Sequence, residues 1–506
     1  MKKIFKKLVA VLLAVIMFVL SAVSVAANAV DKSEKCPTVS VPGFMSSEIL
    51  ADKNDPDSEV IWPPSSDGII AAVKQTVPVL LELAANKDWE SFGDKLAQIA
   101  NELFLPAEND RDGNPADNTG AYFVYPNADS IDENSNVSFH YDWRKDPIEI
   151  AQELNDFINY VMKASGCDKV SIECHSLGSI VTDTYATLYG TEHLKTVVFN
   201  APALFGETYN SELMTGQLIL DPDAVCDYLD YAFDTNEYSN LIKSLLDVLN
   251  DSGIVDIICS FGNTLLREIG EKVSAQSVVP LFARWTTIWA MVPDENIDSA
   301  MNYIFNELKP YYDADYTNLI AKINNYNTLV RSKKAETLKK INDECNLYVI
   351  TRYGYSSLPL TPSSSSLSDG VVDTKYASFG ATTADFGKKF SEEYLATADS
   401  RYISPDKSID ASTCLFPEQT WFIKNITHSY NSDALDEMTE TFINFEGQGT
   451  IDTFEQYPQF LMFDHVNDVI VKDTTGENTL TFFDKIQAAF YDLVKLIKYV
   501  ISLIIK

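Results

Sequence analysis

The stretch Val170-Ser171-Ile172-Glu173-Cys174-His175-Ser176-Leu177-Gly178-Ser179 decides the fold. Residues 169–173 read as a strand and residues 177–189 as a helix, with Ser176 at the junction and small residues around it. A strand that turns into a helix at such a serine is a nucleophile elbow, close to the pattern Gly-x-Ser-x-Gly. The tight turn lifts the serine oxygen above the sheet edge, where a base can reach it. The helix N-terminus supplies unpaired N–H groups for a developing oxyanion. Cys174 stands where glycine is usual, near the size limit that close packing at the turn tolerates. A serine that only caps a helix is the competing reading, and the strand–turn–helix context weighs against it.

Outward from the elbow the pattern repeats. Upstream, a short apolar strand at 36–41 ends in Pro42-Gly43, and a second at 136–141 runs into Asp142-Trp143-Arg144. Asp146-Pro147 is a cap and first-turn signal. The helix it opens carries Ile150, Leu154, Phe157, Ile158, Val161 and Met162 on one face and stops at Gly166. Residues 68–104 are mostly helical by their three- and four-residue apolar spacing, and 109–119 form an acidic loop rich in Asn, Gly and Pro. Downstream comes a strand at 196–199. Residues 203–345 then read as a largely helical insertion over the sheet. A strand at 347–351, the serine-rich loop from Ser363 to Ser366, Asp369-Gly370 and a strand at 421–426 follow. Strand–helix–strand alternation predicts an α/β fold, a mostly parallel sheet with helices on both faces.

Composition narrows the partners. The chain has 506 residues, with 73 acidic against 39 basic side chains and a net charge of −34. That excess excludes nucleic acid as a partner and disfavours general attraction to anionic lipid. Lys2, Lys3, Lys6 and Lys7, an apolar run over 8–25 and Ala27-Asn28-Ala29 read as a signal peptide over residues 1–29. The mature chain is then expected to start at Val30 and to be secreted; the alternative is an uncleaved membrane anchor. The seven cysteines show no Cys-x-x-Cys pair and no zinc spacing, and the five histidines do not cluster. Neither a metal nor another cofactor is expected. Residues 479–506 carry apolar side chains at helical spacing, among them Phe483, Phe490, Leu493, Ile497 and Ile504, interrupted by Lys485, Lys495 and Lys498. Such a helix is too broken by charge to span a bilayer; it packs on the domain or makes contact with a membrane surface.

Tyr141-Asp142-Trp143-Arg144, a helix and then His175-Ser176-Leu177-Gly178 resemble the lecithin:cholesterol acyltransferase family and its lysosomal phospholipase relatives. Val41-Pro42-Gly43-Phe44-Met45 resembles that family's oxyanion loop. Arg284-Trp285-Thr286-Thr287-Ile288-Trp289, ending at Val292-Pro293, resembles a further family segment more loosely, and Asp369-Gly370-Val371-Val372 resembles its Asp-Gly-Thr-Val. The blocks lie in family order over residues 36–430. The resemblance implies an α/β-hydrolase domain over 30–478 with a helical cap at 203–345. It implies Ser176 as nucleophile, backbone N–H groups of Phe44 and Leu177 as the oxyanion hole, and Asp369 as triad acid, with Asp373 second in line.

The base follows the acid in this fold, so it is His428 or His465. His428 has the expected context, strand before and helix after; His465 lies between apolar stretches. The gap from Asp369 to His428 is longer than the family's. His140, His175, His193 and Arg144 are expected to be structural. The implied substrate is a lipid or other acyl ester, cleaved by a lipase, phospholipase or esterase or passed on by an O-acyltransferase. Cys174 and the long gap keep open a catalytically inactive binding protein on the same scaffold. A peptidase or amidase of the same fold would share the triad.

Overall fold

The computed structural model describes residues 35–116, 118–226, 253–357, 359, 362–465 and 467–475. The expected leader and the C-terminal amphipathic segment lie outside these residues. Among them, eight strands form a central sheet: β1 (Thr38–Val41), β2 (Asn136–Ser138), β3 (Val170–His175), β4 (Leu194–Asn200), β5 (Asn346–Tyr353), β6 (Thr420–Lys424), β7 (Phe460–Asp464) and β8 (Val469–Lys472). Their order is β8-β7-β6-β5-β4-β3-β1-β2. All neighbours run parallel except β7 and β8.

The described helices include α1 (Ser66–Asn86), α2 (Trp89–Phe104), α3 (Pro147–Ser165), α4 (Gly178–Tyr189), α5 (Ile254–Val273), α6 (Thr317–Leu329), α7 (Lys334–Glu344) and α8 (Asp433–Asn444). The boundaries of α3 follow from its sequence. Asp146 accepts the Ile148 N–H at 2.9 Å ahead of Pro147, and Gly166 ends the helix with φ 73°. Val197 and Phe199 of β4 join a core cluster with Ile150, Leu154, Phe157 and Ile180 of α3 and α4. Val198, between them, joins a second cluster with Tyr348, Trp421, Leu435 and Phe442 of α8. Successive strand residues point to opposite faces, so helices cover both sides of the sheet. Each fully buried aliphatic or aromatic side chain contributes about 1.5–3 kcal/mol.

Three features add to or depart from the sequence reading. The helical stretch at 68–104 is two helices, broken where Lys87 adopts φ 59° and Asp88 accepts the Ser91 N–H at 3.0 Å. Among the described residues no strand lies between β4 and β5, and the described parts of 203–345 join two different core clusters. Leu319, Ile323, Leu338 and Ile341 of α6 and α7 belong to the sheet's own cluster. Helix α5 instead packs Ile269 against Leu83 of α1 and Phe92 of α2. Lastly, β7 and β8 extend the sheet past the strand at 421–426.

One part of the sheet keeps a polar face. Along β1 to β3, Val39, Val41, Val137 and Ile172 point into the core, whereas Thr38, Ser40, Asn136, Ser171 and Glu173 alternate with them. These polar residues line a cleft of about 960 Å³, walled by Asp436, Thr439, Glu440 and Ile443 of α8.

Candidate active site

Ser176 sits between β3 and α4 with φ 53°, in the left-handed region that few non-glycine residues adopt. Its N–H donates to the Asn200 carbonyl at 3.2 Å, and its own carbonyl accepts from the Ser179 hydroxyl at 2.6 Å and the Ala203 N–H at 3.2 Å. The loop after β1 lies directly on this turn. A Cβ on Gly178 would stand 2.1 Å from the Val41 carbonyl oxygen, and one on Gly43 would stand 2.8 Å from the Ser176 Cβ. Glycine is therefore required at both positions. Cys174, fully buried, fits with its Sγ 3.5 Å from the Val198 carbonyl oxygen.

His428, just beyond β6, brings Nε2 to 2.9 Å from Ser176 Oγ and Nδ1 to 2.7 Å from Asp369 Oδ2. Asp369 Oδ1 accepts the N–H groups of Val371 at 3.0 Å and Val372 at 2.8 Å, which fixes the carboxylate plane. The His428 N–H donates to the Asp369 carbonyl at 3.0 Å, so backbone and side chain are tied together. An ionised carboxylate only accepts, which places a proton on Nδ1 and leaves Nε2 to accept from the serine hydroxyl. Ser176 and His428 are each 6% exposed. The cleft reaches both, and Gly43, Phe44 and Met45 line it at that end.

The two residues left open as alternatives stand elsewhere. Asp373 is fully buried and accepts the Thr208 N–H at 2.9 Å; burial raises its carboxyl above the ordinary range. Glu207 beside it is pushed up to about 8, by burial first and then by the charges of Asp373 and Asp369. His465 bonds the Asn425 carbonyl at 2.6 Å and packs on Tyr430 and Phe463.

The loop carrying Phe44 is held by the Tyr141-Asp142-Trp143-Arg144 block. Tyr141 donates to the Pro42 carbonyl at 2.6 Å and Trp143 to the Ser47 carbonyl at 2.9 Å. The Phe44 ring meets Trp143 edge-on at 4.7 Å, and Trp62 and Trp285 complete an aromatic cluster around it. Arg144, fully buried, pairs with Asp142 through bonds of 2.9 and 2.7 Å, the structural role expected of it. Among the described residues, neither the Phe44 N–H nor the Leu177 N–H donates a hydrogen bond to protein.

The contacts that hold His428 from behind were not read from the sequence. Arg352 at the end of β5 is fully buried. Its Nη1 donates to the carbonyls of Thr427 at 2.9 Å, His428 at 2.7 Å and Tyr430 at 2.7 Å, while Nε and Nη2 hold Asn200 Oδ1. Burial pulls its guanidinium down to about 10. His175 Nε2 donates to the same His428 carbonyl at 2.9 Å. Burial, then the nearby His428 and Arg352, keep His175 well below the usual imidazole range, hence neutral. A single arginine ending the apolar run from Leu347 was the available signal.

Among the described residues no cluster of three or more His, Cys, Asp or Glu is placed to hold a metal, and no helix is long and apolar enough to cross a membrane. No family model matches the chain, and no curated protein matches it. Among solved structures, the crystal structure of the Tle4–Tli4 complex is similar at 16% identity and a TM-score of 0.19, covering 35% of this chain and 48% of that one. The chain thus spans about half the length of the structure it matches.

Proposed function

We propose that this chain is a secreted serine hydrolase or acyltransferase of the α/β-hydrolase fold, akin to the lecithin:cholesterol acyltransferase family, that acts on acyl esters through Ser176. One observation carries the reading: Ser176 Oγ, His428 and Asp369 Oδ2 lie in a row, linked at 2.9 and 2.7 Å. In that row His428 takes the serine proton as Oγ attacks the ester carbonyl, and Asp369 stabilises the imidazolium that forms. The N–H groups of Phe44 and Leu177 receive the oxyanion. His428 then protonates the departing alcohol, leaving an acyl-Ser176 ester. Water or a second alcohol, deprotonated by His428, releases the acyl group.

The cleft supports an ester with unlike halves. Pro42, Phe44 and Met45 stand at its end near the serine, whereas mainly polar side chains, among them Ser40, Asn136, Glu173, Asp436 and Glu440, line the remainder. The apolar end suits an acyl chain and the polar end its alcohol.

The test is labelling by a fluorophosphonate probe, with and without a detergent or lipid interface. The parent labels, and Ser176→Ala and His428→Ala do not. A folded parent that stays unlabelled under both conditions overturns the reading and favours a binding protein on this scaffold. Ester and amide panels, with products analysed in the presence of acceptor alcohols, then separate esterase, acyltransferase and amidase.

A further inference from the structure

Cys36 and Cys167 come together where β1 and β3 begin. The two strands pair with Thr38 beside Ser171, and the Ser171 N–H donates to the Pro37 carbonyl at 2.9 Å. Cys36 Sγ lies 3.5 Å from Ser171 Oγ, and Cys167 Sγ lies 3.7 Å from the carbonyl oxygen of Lys35, the residue bonded to Cys36. A carbonyl oxygen stands ~2.8 Å from the next Cα across a trans peptide, so the Cys167 sulfur is within about 6.5 Å of the Cys36 Cα. Bridging brings the two Cα atoms into the usual ~4.4–6.8 Å range of disulfides. Both thiols are partly exposed, and each lies within the other's electrostatic reach. Cys174 and Cys345, by contrast, are buried with their sulfurs on the carbonyls of Val198 and of Thr191 and Leu194.

We propose that Cys36 and Cys167 form a disulfide in oxidising surroundings, stapling the start of β1 to the turn between α3 and β3. The oxidant is a small-molecule or protein disulfide. The Cys167 thiolate attacks one of its sulfurs and expels the first reduced thiol. The Cys36 thiolate then attacks the Cys167 sulfur and expels the second. Two electrons pass to the oxidant, and the two protons released on ionisation of Cys36 and Cys167 end on the thiols it becomes. The bond closes a long loop, which most constrains the unfolded chain. It stands independently of the ester chemistry.

The full-length protein, equilibrated at pH 8 with reduced and oxidised glutathione, alkylated and digested without reduction, gives the answer by mass mapping. The expected result is a linked Cys36–Cys167 peptide and a melting temperature a few degrees above that of the reduced protein. Cys36→Ser and Cys167→Ser lose both effects, and Cys345→Ser keeps them. Alkylation or separate glutathionylation of both cysteines in the folded, oxidised protein overturns the proposal, as does either one pairing with another cysteine. The peptide map of the parent decides the matter even if a variant fails to fold.

Discussion

Arg352 holds His428 by its backbone: Nη1 lies 2.7 Å from the His428 carbonyl oxygen, with the whole guanidinium buried. The imidazole is thereby positioned from behind, by a group that touches neither Ser176 nor a substrate. Arg352→Met leaves the carbonyls of Thr427, His428 and Tyr430 without this donor. Misplacing a catalytic group by about 1 Å lowers turnover ~10²-fold. We expect kcat on a short-chain ester to fall by that order with KM nearly unchanged, and Arg352→Lys to recover part of it. Steady-state kinetics on folded variants read the outcome; a fall in KM affinity alone would contradict a positioning role.

Asp369 and Asp373 are four positions apart and face different partners. Asp369→Asn removes the carboxylate on His428 Nδ1 and is expected to lower ester turnover by ~10³–10⁴-fold. Asp373→Asn keeps an acceptor for the Thr208 N–H and is expected to stay within about fivefold of the parent, since no contact ties it to His428. Equal losses in both variants would mean that the buried acidic group as a whole, Glu207 included, sets the site's charge.

Gly178 and Gly166 test two different reasons for glycine. Alanine at 178 drives a Cβ into the Val41 carbonyl oxygen and is expected to give a chain that does not fold. Alanine at 166 meets nothing within 4 Å and has only φ 73° to accommodate. It is expected to destabilise by about 1 kcal/mol in urea unfolding with ester turnover intact.

Asp183 on α4 is fully buried, and neither carboxylate oxygen has a hydrogen-bond partner. Burial pushes its pKa from 3.8 to about 8, opposed only by the charge of Lys334. A carboxyl raised on folding supports the fold fully below its unfolded pKa, and that support is lost as pH rises through the folded value. The melting temperature of Asp183→Asn relative to the parent should therefore climb steadily between pH 4 and pH 8. A difference that stays flat across that window would show the carboxyl to be ionised and paired.

The elbow was legible because three local signals coincide at Ser176: a strand before it, a helix after it and small residues around it. Chain order and the strand–histidine–helix context of His428 pointed to Asp369 and His428, which the structure brings into a hydrogen-bonded row with Ser176. What remained hidden is non-local. Nothing in residues 66–104 announces that Leu83 and Phe92 pack on Ile269. Strands β7 and β8 are short, and β8 is mostly exposed at the sheet edge, so its apolar pattern is weak. The long gap between Asp369 and His428 also has a physical account. Ala381, Ile409, Ala411 and Cys414 build a small core there with Tyr353 and Phe422 of the sheet. The extra residues are stored beside the sheet, and the His428 N–H still reaches the Asp369 carbonyl.

Ser176 at φ 53° sets the interests of folding and reactivity against each other. A left-handed backbone disfavours every side chain by about 1 kcal/mol relative to glycine. On the proposed function, Ser176→Gly is then expected to be inert and to survive heat better than its parent. Selection for yield or thermal endurance alone would drift toward that substitution, and its rarity in a randomised pool would measure how strongly activity is being selected.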